Sequence, residues 1–100
     1  MYKEREISSL VELRKYMEAL DEDEGIRAWG DARGFKEGGF IFITRSKGQY
    51  CVNICDRVWD DEKKTFMVGG SDVWYYFDDF THAWKFVKSL VRCPLKAWLY

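Results

Sequence analysis

The chain has 100 residues, 47% of them apolar, with 16 Lys and Arg against 17 Asp and Glu. A chain of this length buries about two thirds of its unfolded surface in one core and folds without disulfide or metal staples. A net charge of −1 and a pI near 5.8 exclude the basic stripe by which generic nucleic-acid binders meet phosphate, and no apolar run reaches the roughly 18 residues of a membrane span.

Residues 1–6 lack the layout of a signal peptide, so the expected location is cytoplasmic. The first predicted element is a helix over about residues 9–21. Ser9-Leu10-Val11-Glu12 has the form of a capping box, in which Ser9 accepts from a first-turn N–H and Glu12 reaches back to the cap. Leu10, Leu13, Met17 and Leu20 then recur at helical spacing while Glu12, Arg14, Lys15 and Glu18 point outward. Asp21, Glu22, Asp23 and Glu24 follow at the helix C-terminus, where acid opposes the macrodipole, so they are not placed for helix stability.

Ile26-Arg27-Ala28-Trp29 suits a short edge strand. Residues 30–39 carry four glycines and read as a loop. Their spacing matches neither the P-loop nor the dinucleotide fingerprint, and the strand-to-helix setting those need is missing.

Residues 39–77 read as a β-meander, with strands expected at about 39–45, 50–59, 64–68 and 73–77. Lys47-Gly48, Asp60-Asp61-Glu62-Lys63 and Gly69-Gly70-Ser71-Asp72 supply the turn chemistry between them. Centring the first turn on Lys47-Gly48 pairs Ile43 with Val52 and Ile41 with Ile54. The remaining turns pair Val58 with Phe66, Val68 with Val73 and Phe66 with Tyr75. One face is then Ile41, Ile43, Val52, Ile54, Val58, Phe66, Val68, Val73 and Tyr75, which is the expected core face. The opposite face carries Phe40, Phe42, Cys51, Asn53, Cys55, Trp59, Met67, Trp74 and Tyr76, too apolar to be left entirely to water.

A second helix is expected over about residues 79–92, capped by Asp78 or Asp79, with Phe80, Ala83, Trp84, Val87, Leu90 and Val91 along one stripe. Pro94 stops it. The tail, residues 94–100, is too apolar for a free end and is expected to dock, across the exposed aromatic face. The fold class is therefore α+β in one domain, 1–100: an N-terminal helix, an antiparallel meander of about four strands with room for a fifth short edge strand, and a C-terminal helix packed on one sheet face.

Three cysteines argue against a disulfide framework. As zinc ligands, Cys51 and Cys55 fail on reach: four residues of extended strand separate them by about 13 Å, whereas two thiolates on one zinc lie within roughly 4.6 Å. No metal and no cofactor is expected. His82 is the lone histidine, and with Asp79 it forms the one acid–base pair in view. No nucleophile or oxyanion pocket accompanies it.

Composition points elsewhere. The chain is 18% aromatic with five tryptophans, more rings than a core this size uses, and interfaces are enriched in such residues. In a four-strand meander, Asp60, Asp61, Glu62, Asp78 and Asp79 share one rim, and such a rim steers a partner. The helix–meander–helix order resembles the double-stranded-RNA-binding domain, but Asp78-Asp79-Phe80-Thr81 stands where that family carries basic residues against phosphate, so direct nucleic-acid binding is not expected. In kind, a small aromatic-rich domain with clustered acid resembles phage and mobile-element inhibitors of host defence nucleases, anti-CRISPR inhibitors among them.

The expected function is a non-enzymatic module that occupies a protein partner's surface, the partner having a basic nucleic-acid-binding groove. Its contacts are the acidic rim and an aromatic face of Phe42, Trp59, Trp74 and Tyr76. The alternatives are a homodimer with packed aromatic faces, and a small ligand-binding protein or enzyme using His82, Asp79 and the 30–39 loop.

Overall fold

A computed structural model describes residues 5–30, 39–91 and 95–100, with the backbone alone described at 57, 66 and 68–71. The element order is β1 (Arg5–Ile7), α1 (Leu10–Glu18), β2 (Gly25–Gly30), β3 (Gly39–Ser46), β4 (Gln49–Asp60), β5 (Thr65–Phe77), α2 (Phe80–Leu90) and β6 (Ala97–Leu99). The strands form one antiparallel sheet in the order β1-β6-β2-β3-β4-β5. The class is α+β, as the periodicities indicate.

The β3–β4 hairpin follows from local chemistry. Lys47 and Gly48 take φ of 52° and 80°, the left-handed pair that a two-residue primed turn needs to match strand twist. Ser46 then pairs with Gln49, Ile43 with Val52 and Ile41 with Ile54, the expected register. Ile41, Ile43 and Val52 are fully buried, each burial contributing about 1.5–3 kcal/mol.

The largest departure is β5. The expected strands at 64–68 and 73–77 are one 13-residue strand, because Gly69-Gly70-Ser71 does not turn the chain. Cys55 pairs with Asp72 and Arg57 with Val68, so Asp56 alone stands opposite those three residues. Glycine serves an irregularity of this kind as well as it serves a turn, since both need unusual backbone angles. Val58 consequently pairs with Met67, not Phe66, and Val68 and Val73 lie on the same strand.

Three further strands differ from expectation. β2 is no edge: it pairs with β3 on one side and β6 on the other. The tail does not lie across a face but enters the sheet plane as β6, between β1 and β2. β1, three residues long, pairs with β6 alone.

Both helices cover one sheet face. Ser9 caps α1, its Oγ accepting from Glu12 N at 3.1 Å. The Glu12 carboxylate receives the hydroxyls of Ser8 and Ser9 at 3.1 and 3.3 Å in place of the expected backbone N–H. Leu13 and Met17 from α1, and Ala83 and Val87 from α2, join Ile26, Ala28, Ile41, Ile43, Val52 and Ile54 in the core. α2 reaches β5 through Phe86, whose ring lies 4.7 Å from that of Tyr75 and 5.4 Å from that of Phe77, yet Val58, Val73 and Tyr75, expected in the core, remain 47%, 46% and 41% exposed. The side chains of Phe66 and Val68 lie outside the described set. No helix among the described residues is long and apolar enough to cross a membrane.

Two glycines admit close backbone approaches. At Gly25 a Cβ would lie 2.7 Å from the Tyr100 ring; at Gly30 it would meet the Ile41 side chain and lie 2.7 Å from the Leu90 carbonyl oxygen. Gly30 also bridges to Val91, which seats the end of α2 over β2.

Candidate functional site

The expected acidic rim is not assembled. Asp60 pairs with Thr65 at one end of β5, while Phe77, immediately before Asp78, pairs with Tyr50 at the other. Asp60, Asp61 and Glu62 therefore stand apart from Asp78 and Asp79 by the length of the strand. The correction follows from the missing turn at Gly69-Gly70: an added reversal would have returned both groups to one end.

Most of these acids have local partners. Asp60 Oδ1 accepts from the N–H of Glu62 and Lys63 at 2.9 and 3.2 Å, an Asx-type turn. Asp61 Oδ1 accepts from Trp59 Nε1 at 2.8 Å, and Asp78 from Gln49 Nε2 at 2.9 Å. Glu62 is exposed on its turn. Glu22, in the acidic run after α1, accepts from Lys47 N at 3.0 Å. The carboxylates brace turns at both ends of the sheet.

Asp79 is the N-cap of α2, accepting from His82 N at 2.8 Å. Its other oxygen lies 2.6 Å from His82 Nδ1. The His82 backbone N–H, then its ring, hold the carboxyl below its ordinary value of 3.8. The pair sits on the solvent side of the first helical turn, with side-chain exposures of 75% for His82 and 55% for Asp79. Residues 31–38 of the glycine-rich loop lie outside the described residues, as does Cys93.

Three of the four expected aromatic anchors do share a face. Phe42 pairs with Asn53 and Asn53 with Trp74, placing them in one row, and Tyr76 stands two residues along β5. Trp74 and Tyr76 stack at 6.2 Å with an 11° interplanar angle, and they are 50% and 59% exposed. Trp59 lies past the irregularity, on the projecting part of the hairpin. Below the stacked pair the face is closed: Cys51, Asn53 and Cys55 are buried, and Asn53 Nδ2 donates to Asp72 at 3.0 Å. Burial, with Asp72 and Asp56 nearby, pushes the Cys55 thiol above its ordinary value.

β5 is the outer strand of the sheet, so among the described residues no strand lies beyond one row of its backbone N–H and C=O groups. Between Phe66 and Phe77 the sequence offers one charge, Asp72, and no lysine, arginine or proline. Edge strands are commonly blunted by such residues. The opposite edge, β1, is short and carries Arg5 and Glu6, both exposed.

A second feature lies on the same face but nearer β6. The projecting part of the β4–β5 hairpin brings Thr65 and Met67 across from Arg27, Trp29, Phe40, Phe42 and Trp98, enclosing an open cleft of about 350 Å³. Trp29 meets Phe40 edge-on at 5.8 Å, and Phe40 and Phe42 are 6.3 Å apart. The Arg27 guanidinium lies 5.0 Å from the Trp98 ring centre, and the Lys96 ammonium 5.1 Å from that of Trp29. Sequence reasoning missed this group because its members sit on four strands, two of which, β2 and β6, were not expected to be neighbours. The only available signal was a Trp-containing tail too apolar to hang free.

Neither a protein-family model, a curated protein nor a solved structure matches this chain.

Proposed function

We propose that the chain is a protein-binding module that adds an extended segment of a partner protein to the open edge of β5. One observation carries the reading. A long outer strand exposes Val73 and Tyr75 on one side and Trp74 and Tyr76 on the other, with almost no charge to repel a neighbour. Backbone groups on a sheet edge supply affinity for an added strand, and alternating side chains supply selectivity. Stacked Trp and Tyr are the residue types that dominate interface energetics.

The module is non-enzymatic in this reading and works by occupying its partner. Acidic mimicry of a nucleic acid is left out, because Asp60, Asp61 and Glu62 do not meet Asp78 and Asp79 and most of these acids brace turns.

Selection of displayed random peptides against the immobilised protein, followed by amide-shift mapping of an enriched peptide, tests the reading. Enriched peptides should be extended and apolar-alternating, should perturb β5 amides from Asp72 to Phe77, and should lose binding to Tyr76→Lys. Perturbations confined to the helices or to β1 would overturn it. A concentration-dependent dimer that Tyr76→Lys dissociates would replace the foreign partner with a second copy.

A further inference from the structure

We infer that the segment taken up by the edge of β5 is basic, setting an arginine directly opposite Asp72 and uncharged residues opposite Trp74 and Tyr76. This rests on the strand-edge reading and names the chemistry of the partner that reading calls for.

The β3–β4 turn decides which backbone groups face the open edge. A two-residue loop is closed by a pair of residues that exchange both hydrogen bonds, and such pairs alternate with non-bonded ones along an antiparallel ladder. Ser46 and Gln49 close the Lys47-Gly48 turn. Cys51, Asn53 and Cys55 therefore direct their N–H and C=O groups to β3, while Tyr50, Val52 and Ile54 direct theirs to β5. The partners of those three, Phe77, Tyr75 and Val73, are bonded to β4. The Val73 carbonyl points that way, since it accepts from Asn53 Nδ2 at 3.4 Å. The outward row belongs to Asp72, Trp74 and Tyr76.

These three residues also share a face, because side chains two apart on a strand point to the same side. A residue opposite each of them on an added strand lies on that face too, with Cβ atoms about 4.5–5.5 Å apart. Trp74 and Tyr76 stack with their rings 11° from parallel and offer a broad, half-exposed apolar surface. Asp72 is exposed. One of its oxygens accepts from Asn53 Nδ2 at 3.0 Å, and among the described residues no cation pairs with it. An uncharged strand laid beside it would desolvate that carboxylate with no compensating partner. An arginine opposite it supplies one, and Trp74, about 7 Å along the strand, lies within reach of the same guanidinium. The planar fork and weak hydration of arginine favour it over lysine here.

A second copy of β5 does not fill this place. Residues 65–77 contain no lysine, arginine or histidine, and the antiparallel register centred on Tyr75 would set Asp72 against Asp78.

The probe is a displayed library of random twelve-residue peptides, selected in parallel on wild type, Asp72→Asn and Asp72→Lys. Asparagine keeps an acceptor for Asn53 while removing the charge, so its melting temperature should match wild type. Wild type should enrich alternating peptides with arginine at one fixed place in the alternation; Asp72→Asn should lose that bias and Asp72→Lys should reverse it toward acid. For the most enriched peptide, calorimetry should show binding about fivefold weaker on Asp72→Asn or on replacing the peptide arginine by alanine, with little further loss when both are changed. Hydrogen exchange keeps the two readings apart: the peptide should slow exchange of the Trp74 and Tyr76 amides, while those of Val73, Tyr75 and Phe77 are protected with or without it. Peptides that protect Trp74 and Tyr76 but show no charge preference, or losses that simply multiply in the double change, overturn this inference and leave the strand-edge reading standing. Peptides that leave those two amides exchanging, or no enrichment at all, overturn both.

Discussion

Replacing Gly30 by alanine tests whether the end of α2 is locked onto β2 by backbone contact. A Cβ at this position would lie 2.7 Å from the Leu90 carbonyl oxygen, well inside ordinary van der Waals separation. The Ile41 Cδ1 would lie closer still, but it is the rotatable end of a side chain; the carbonyl oxygen belongs to the last turn of α2, whose Ala83 and Val87 are fully buried. Relief requires the helix end or β2 to shift, and overpacking of this kind costs about 1–3 kcal/mol. Loss of glycine's freedom in the unfolded chain returns about 0.4–1 kcal/mol. The net destabilisation is about 1–2 kcal/mol, or a fall in melting temperature of about 5–15 °C for a domain this size.

Gly25→Ala is the matched control. Its Cβ would approach the Tyr100 ring to 2.7 Å, and every atom it meets belongs to that ring, the far end of a rotatable side chain. The expected cost is under about 1 kcal/mol. Thermal unfolding followed by circular dichroism separates the two. A Gly30→Ala protein as stable as wild type, or a Gly25→Ala protein that is the weaker of the pair, would refute the idea that backbone contact holds the helix.

Lys47→Asn should stabilise the protein by about 0.5–1 kcal/mol in urea unfolding, because Lys47 holds a left-handed φ of 52° that asparagine adopts more readily. Asp79, whose pKa is depressed in the folded state, contributes stability that is fully present above 3.8 and is lost as pH falls through its lower folded value. Carbonyl-carbon titration should place its midpoint below 3.8, and His82→Ala should raise that midpoint only part of the way, since the larger cause is the backbone N–H that alanine keeps. Iodoacetamide under native conditions should leave Cys51 and Cys55 unmodified by peptide mass mapping, because both are buried and the Cys55 thiol is held in its protonated form. Denaturant should expose both.

The parts of the fold legible in the sequence are those set by short-range chemistry. The Lys47-Gly48 turn fixes the β3–β4 register to the residue, Ser9 marks the start of α1, and Asp78-Asp79 marks that of α2, with Asp79 the cap. What misled was Gly69-Gly70-Ser71. A glycine pair between apolar runs has the same local signature whether the chain reverses or merely bulges, and the choice is made by β4, which is long enough to pair beyond it. That single ambiguity moved Asp78 and Asp79 to the far end of the sheet and dissolved the expected rim.

β1 and β6 escaped notice for another reason. Three residues show too little alternation to register, and their pairing is decided by strands far away in the chain. Of the aromatic anchors, Phe42, Trp74 and Tyr76 were placed on one face correctly because alternation survives an error of topology. Trp29 and Trp98 were not grouped, since only the sheet order makes them neighbours.

The position of β6 also bears on how the molecule is made. Among the described residues β1 pairs with β6 alone, and Arg5 meets Leu99 across that ladder. During synthesis, α1 and the β2–β5 sheet can form while β1 waits for almost the last residues described. Such a distant pairing contributes heavily to contact order and is entropically slow to close. In refolding, protection of the amides of β1 and β6 should therefore come last, after the β3–β4 hairpin has set. Until then the buried side chain of Ile7 is uncovered, and an unclosed sheet edge is available to whatever chain is nearby.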